Sequence, residues 1–245
     1  MKRGNPNHYP KGHPRAGQFA PKWFGAGHRT FSEIDEKYSE SDFPMEMYDV
    51  EMGKKAMQIQ EDIGGHFESA VYIAGALESY TGHEYKLIRE YQRGGYADTS
   101  TENNAKAIEY FIARAPQWKG KAYRAISPRS VRRYDFSVGN VIDMGGMSSW
   151  SSNEDAIPRF TDENGAVFVT ENVGTATSIK PYSRWESEDE VLASSQNLYR
   201  IERVETRTVL FDPEKGIPFD ASAGEHELTF VYVSAINQGY SPTRD

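Results

Sequence analysis

The chain has 245 residues, 38% of them hydrophobic and 13% aromatic, with a net charge of −8 and no cysteine. That length suffices for one large core or two small lobes. Disulfides and thiolate chemistry are excluded, a zinc site would need His and carboxylate ligands alone, and no apolar run approaches the roughly 18 residues of a membrane-spanning helix.

The charge is uneven. Residues 1–32 carry Lys2, Arg3, Lys11, Arg15, Lys22 and Arg29 and no acid, which leaves the rest of the chain at −14, with 22 basic against 36 acidic residues. An acidic body argues against a general nucleic-acid binder. Residues 1–30 are rich in Gly, Pro, His and Lys and lack periodicity, so a basic, extended arm is expected over residues 1–32. It has charges but no apolar stretch, and no secretory signal is expected. His8, His13 and His28 are too irregularly spaced to suggest a metal site. Phe19, Trp23 and Phe24 give the arm apolar surface for docking, either on the body of the protein or on a partner. The absence of cysteine fits a reducing compartment without requiring one.

A single domain is expected over 33–245, helical over about 49–115 and β-rich over about 120–236. From about Asp49 to Glu78, Met52, Ala56, Ile59 and Ile63, then Phe67, Val71, Ala74 and Leu77, recur at helical spacing. Gly64-Gly65 should split this stretch into two helices, and Tyr80-Thr81-Gly82 should close the second. A third helix is predicted from about His83 to Gln92. A fourth runs from Thr101 to Arg114, with Ala105, Ile108, Phe111 and Ile112 on one face, and stops before Pro116. After Gly120 come short β-type runs: Ala122–Ile126, Val138–Met144, Val167–Thr170, Val191–Ala193, Leu198–Val204, Thr208–Phe211 and Leu228–Ala235, with turns at Asn164-Gly165 and Gly216. Helices followed by strands predict an α+β fold.

Three signals carry chemistry. Arg124 interrupts the apolar strand Ala122-Tyr123-Arg124-Ala125-Ile126; it either snorkels to solvent or aims its fork at a phosphate or carboxylate. Next, Met147-Ser148-Ser149-Trp150-Ser151-Ser152 alternates hydroxyls on a short strand ahead of Ala156 and Phe160. Ser152 or Asn153 would also cap a helical turn there. Third, Glu188-Asp189-Glu190 enters the apolar run Val191-Leu192. If both glutamates lie on a strand they share a face about 7 Å apart, and repulsion raises one pKa; otherwise they belong to an ordinary acidic turn. The three signals fall in order, 25 and 41 residues apart (124 to 149, 149 to 190).

In that order they resemble the R-S-E class of mono-ADP-ribosyltransferases, which includes bacterial binary toxins and phage-borne arginine-modifying enzymes. Tyr123-Arg124 matches the family's aromatic-Arg pair. Ser149-Trp150-Ser151 with Ala156 and Phe160 loosely matches its Ser-Thr-Ser motif. Glu188-Asp189-Glu190-Val191-Leu192 with Leu198-Tyr199-Arg200-Ile201 matches its Glu-x-Glu motif, and Tyr80-Thr81-Gly82 with Tyr85-Lys86-Leu87-Ile88 looks like its helical lead-in. The resemblance spans about residues 50–245. Trp150 replaces the central threonine, Arg89 stands where asparagine is common, and Glu163 stands where arginine is common, with Arg159 nearby. A second Glu-x-Glu, Glu225-His226-Glu227, lacks the aliphatic pair and ranks below the first.

The resemblance implies helices packed on a two-sheet, mostly antiparallel β core, with NAD as substrate and no metal. It implies that Arg124 holds a phosphate, Ser149 fixes Glu190, Glu190 supports the ribose, the Ala125 main chain meets the nicotinamide amide and Phe160 stacks on its ring. Glu188 then goes with an arginine acceptor on a target protein. Tyr182 and Trp185, in the loop 180–185, either meet that target or pack beneath the loop. His13-Pro14-Arg15-Ala16-Gly17-Gln18-Phe19-Ala20 resembles segments of phage head-associated proteins, which implies capsid contact through the arm, location in a virion or the bacterial host cytoplasm, and host proteins as targets. No membrane and no nucleic-acid partner is expected. The alternatives are a catalytically inactive virion structural protein and an NAD glycohydrolase.

Overall fold

The computed structural model describes residues 50–183, 188–212, 214 and 222–236. The arm, with its histidines and aromatics, lies outside the described residues, as do Arg184, Trp185 and Gly216.

Apolar periodicity builds the helical layer. α1 (Val50–Ile63) buries Ala56 and Ile59 and ends at Gly64-Gly65, both in left-handed backbone at φ 73° and 92°. α2 (Phe67–Ser79) buries Ala70, Ile73, Ala74 and Leu77. Tyr80-Thr81-Gly82 does not close this run as expected. The chain widens into a π-helical turn (Tyr80–Glu84) and continues as α3 (Tyr85–Gln92). Gly82 has no positive φ and so makes no C-cap. The extra residue in the wide turn resets the helical phase, and Tyr80 and Ile88 are both buried. α4 (Thr99–Arg114) begins two residues before the predicted start because the Asp98 carboxylate caps it, accepting from Thr101 N–H at 2.7 Å. Ala105, Ile108, Phe111 and Ile112 are buried, as predicted.

The strands are β1 (Ala122–Ile126), β2 (Val141–Asp143), β3 (Ser148–Ser151), β4 (Ala166–Thr170), β5 (Ala176–Ser178), β6 (Glu190–Ala193), β7 (Leu198–Phe211) and β8 (Gly224–Ile236). A short helix α5 (Pro128–Val131) follows β1, and a 3-10 helix (Glu154–Arg159) follows β3. Hydrogen bonds link the strands in the order β2-β7-β8-β4-β1-β3-β6-β5, antiparallel except for β4 beside β8. The expected α+β class holds. The two predicted runs Leu198–Val204 and Thr208–Phe211 are one long strand with a bulge between Ile201 and Arg203. Its polar middle is a solvated face rather than a turn.

The ladder has one thin place. β1 pairs with β4 along its full length, Ala122 opposite Thr170 through Ile126 opposite Ala166. With β3 it shares a single pair, Tyr123 opposite Ser151. Five strands stand on one side of this seam and three on the other. The helices pack against the three-stranded side, where Met147, Ile179, Tyr182 and Leu192 join their core. Gln92 ties the layers together: its Oε1 accepts from Met147 N–H (2.8 Å) and its Nε2 donates to Glu109 (3.2 Å). Glu109 also accepts from Ser194 Oγ (2.7 Å) and Ser195 N–H (2.8 Å), yet burial still pushes its carboxyl pKa up. Among the described residues no helix is long and apolar enough to cross a membrane.

Gly146 sits at φ 132°, where a Cβ would stand 2.7 Å from Gln92 Oε1. Gly146→Ala should therefore lower unfolding free energy by about 1–3 kcal/mol in urea titration. Gly53→Ala, inside α1 with open space around it, should raise it by roughly 0.5–1 kcal/mol.

Candidate active site

The seam between β1 and β3 collects the three predicted residues from three neighbouring strands. Arg124 follows the one β1 residue that pairs with β3, and its Nη1 donates to the Ser149 carbonyl oxygen at 2.5 Å. Across β3 and β6, Ser151 faces Glu190 and Ser149 faces Leu192. Ser149 and Glu190 are thus diagonal neighbours on one face, within reach of each other. Beyond Tyr123, the β3-facing edge of β1 has no ladder partner among the described residues, and Ala125 lies on that stretch, opposite Val167 of β4.

Glu190 is 7% exposed. Burial is the main reason its pKa rises to about 7; the Ser149 hydroxyl works against this, the Glu188 charge adds to it, and Arg124 lowers it. Burial also depresses Arg124, to about 10, and the adjacent Arg89 guanidinium is the next cause. Tyr80, delivered by the π-helical turn, brings its hydroxyl within 3.4 Å of Ser149 Oγ, and its pKa is raised, burial again leading. A buried carboxyl, a buried guanidinium and two hydroxyls therefore lie together beside the β1–β3 seam.

Glu188 is near Glu190, but not by strand geometry. β6 starts at Glu190, and Asp189 at φ 46° turns the chain just before it. The i, i+2 same-face expectation fails here because the turn, rather than a pleat, sets the separation. Ser151 braces that turn: its Oγ donates to the Glu188 carbonyl oxygen at 2.9 Å and accepts from Asn153 N–H at 3.0 Å. Ser152 N–H donates to the Asp189 carbonyl oxygen at 3.1 Å, and Lys180 pairs with the Asp189 carboxylate at 2.5 Å. Burial raises the pKa of half-buried Glu188, and the Arg159 charge lowers it. Arg159 thus faces a carboxylate. Glu163 is engaged elsewhere, accepting from Ser222 Oγ at 2.6 Å and lying 3.4 Å from His226 Nδ1.

Phe160 ends the 3-10 helix that Asn153 caps, and its ring is 45% exposed. Trp150 packs into the core, tilted against Tyr199 at 5.4 Å. Tyr182 is 1% exposed, donates to Asp62 Oδ2 at 2.6 Å and stands edge-on to Phe111 at 5.3 Å. Of the two readings of that residue, packing beneath the loop is what occurs. Glu225 and Glu227 face solvent on β8. The sequence reading gave no role to Ser151, or to Tyr80 beyond its motif; the alternating hydroxyls of β3 were the available signal for the first.

No protein-family model matches the sequence, and no curated protein does. Solved structures share the fold. The ADP-ribosyltransferase Vis from Vibrio splendidus, in complex with agmatine, aligns at TM-score 0.52 and 15% identity over 85% of this chain and 93% of its own. The type III effector XopAI from Xanthomonas axonopodis pv. citri, lacking 70 N-terminal residues, aligns at TM-score 0.54 and 15% identity over 86% and 82%. The enzymatic component C2-I of the Clostridium botulinum C2 toxin gives 0.52 and 14% over 78% of this chain, which spans 47% of that one.

The fold is that of the ADP-ribosyltransferases. At such low identity the likeness concerns the ADP-ribosyltransferase scaffold alone; the chemistry must be argued from the cleft.

Two outcomes are expected from the Glu190 electrostatics. Its folded pKa of about 7 lies above the ordinary 4.5, so the unfolded chain ionises first and stability falls as pH climbs between those values. Glu190→Gln should match the parent near pH 3 and exceed it at pH 8 by about 1–3 kcal/mol in urea unfolding. Because the Ser149 hydroxyl favours the ionised carboxylate, Ser149→Ala should move the Glu190 titration, followed by NMR of labelled glutamate, to higher pH.

Proposed function

We propose that the protein is a mono-ADP-ribosyltransferase of the R-S-E class, transferring ADP-ribose from NAD to arginine on a target protein. The observation that carries this reading is the meeting of Arg124, Ser149 and Glu190, 25 and 41 residues apart in sequence, at one seam of an ADP-ribosyltransferase fold.

The bond to be broken joins the anomeric carbon of the ribose to the nicotinamide ring nitrogen. Nicotinamide leaves with the electron pair, and positive charge develops on the sugar as in glycoside cleavage. Ionised Glu190 stabilises that charge and accepts a hydrogen bond from the ribose 2′-hydroxyl. Ser149 holds its carboxylate, and Arg124 binds a phosphate of NAD with its planar fork. The exposed Phe160 ring is free to stack on nicotinamide, and the open edge of β1 at Ala125 offers main-chain partners to the amide.

The acceptor nitrogen then bonds to the anomeric carbon and gives up a proton. A guanidinium with pKa above about 12 needs a neighbouring carboxylate to orient it and take that proton. Glu188 fits: half-buried, with a raised pKa, and next to Glu190. The Vis structure contains agmatine, a guanidino compound, which supports a guanidino acceptor here. The head-protein-like segment of the arm supports a phage origin, with delivery to a bacterial cytoplasm and host proteins as targets.

Labelled NAD mixed with bacterial lysate should mark discrete proteins, and Glu190→Ala should abolish both labelling and nicotinamide release. Glu188→Gln should lose transfer by about 100-fold or more while retaining slow NAD hydrolysis; equal loss of both would contradict the separate roles. Transfer should rise with pH through a midpoint near 7, as Glu190 ionises. Calorimetry without NAD binding would instead favour an inactive virion protein, and nicotinamide release without labelling a glycohydrolase.

A further inference from the structure

β3 is weakly specified by its own sequence. It meets β1 at a single residue pair, and only its ladder with β6, from Ser148 opposite Ala193 to Ser151 opposite Glu190, sets its register. Ser148, Ser149, Ser151 and Ser152 offer a hydroxyl at almost every step, so residue type alone does not decide which of them meets Glu190. A slip of one residue would turn Ser149 to the other face of the sheet, and a slip of two would put Met147 or Ser151 in its place. Trp150 packs on Tyr199 and fixes the strand by its other face. Ser151 and Ser152 brace the end of the ladder that carries Glu190.

The opposite end is gripped from the helical layer. Gln92, the last residue of α3, is 3% exposed, and its Oε1 accepts from the N–H of Met147, one residue ahead of β3, at 2.8 Å. Its Nε2 donates to Glu109 Oε1 of α4 at 3.2 Å. Glu109 in turn accepts from Ser195 N–H at 2.8 Å and, through Oε2, from Ser194 Oγ at 2.7 Å, both just past the end of β6. One amide and one carboxylate thus join the start of β3 to the end of β6, beside the pair Ser148 opposite Ala193. The Glu109 carboxylate is placed entirely by neutral donors; no cation pairs with it among the described residues. Packing alone would favour an apolar side chain at that layer boundary.

We propose that Gln92 and Glu109 form a register lock on the β3–β6 ladder and so position Ser149 against Glu190 from outside the site. Both are positioning residues that act through the two strands. The consequence for turnover rests on the transferase reading, whereas the lock itself is tested without NAD. A merely structural Glu109 would change unfolding free energy and leave the Glu190 titration where it is.

The test follows the Glu190 titration in the full chain by NMR of labelled glutamate. Glu109→Ala should move it to higher pH about as far as Ser149→Ala does, because the Ser149 hydroxyl is no longer held against the carboxylate. Loss of the Glu109 charge by itself would act in the other direction. The two substitutions combined should move the titration no further than either alone, since both remove one interaction. Glu109→Gln, which keeps the shape of the side chain, is the second variant and should move it in the same sense by less. With NAD, Glu109→Gln should lower kcat about tenfold or more with KM little changed, the signature of a misplaced reacting group. Independently of any variant's folding, the Met147 and Ser195 amides of the parent, both outside the strands, should exchange with deuterium as slowly as the ladder they adjoin. Exchange of those amides at loop rates, a Glu190 titration unmoved in Glu109→Ala and Glu109→Gln alike, or additive shifts with Ser149→Ala overturns the lock. If the titration moves as expected while NAD is never cleaved, the lock stands and the transferase reading falls.

Discussion

The cleft depends on β1 and β3 touching at one residue pair. Had Tyr123 opposite Ser151 been followed by further pairs, the backbone beside Arg124 would be consumed by the ladder. Because the strands part there, the Arg124 guanidinium reaches the Ser149 carbonyl oxygen. On the far side β3 and β6 pair across four positions, and Glu190 is the first of them on β6. The carboxylate is thus held by a well-ordered ladder at the edge of a gap that the sheet leaves open. A rigid frame around an unpaired edge is the arrangement a bound ligand needs: the protein supplies main-chain and side-chain donors without reorganising.

The electrostatics carry a cost that packing alone would not impose. The Arg124 charge reaches Glu190, yet the two form no direct ion pair, and burial dominates the shifts of both. A stability-driven sequence would join them or replace both by apolar groups. Instead Glu190 stays near neutrality with a pKa of about 7, the range in which a carboxylate can stabilise positive charge in one step and remain tolerable when buried in another. The turn at Asp189 is similarly expensive, a non-glycine residue at φ 46°, and is offset by the Ser151, Ser152 and Lys180 contacts.

Much of this was legible in the sequence, unevenly and for physical reasons. The helices announced themselves because α1, α2 and α4 each bury one apolar face. The Glu-x-Glu motif disclosed its chemistry but not its shape: periodicity assumes a strand, and nothing in the residue types shows that Asp189 leaves it. The alternating charges of Glu205 and Arg207 on β7 looked like a break because a solvated strand face and a turn have similar composition. β5, at three residues, is too short to carry a pattern. The π-helical turn was missed because Gly82 suggested a stop, although burial of Tyr80 required the chain to continue. Arg89 was visible in the sequence only as a departure; that its guanidinium donates to the Met144 carbonyl oxygen depends on a contact 55 residues away.

The same layout separates the two halves of the proposed reaction. The groups assigned to the NAD donor sit on β1, β3 and β6, inside the sheet. Glu188, assigned to the acceptor, sits outside the sheet at the end of a loop whose near end is anchored. Tyr182 is pinned to α1 through Asp62 and to α4 through Phe111, and Ser183 N–H bonds back to the Ile179 carbonyl oxygen at 2.8 Å. The loop's origin is therefore fixed by the helical layer, while its far end is fixed by Ser151 of β3. Glu190 itself is held by the β3–β6 ladder and by Ile179 N–H, which donates to its carbonyl oxygen at 3.0 Å. In the proposed reaction the donor groups thus stand on paired strands, while the acceptor carboxylate stands on the turn just before β6.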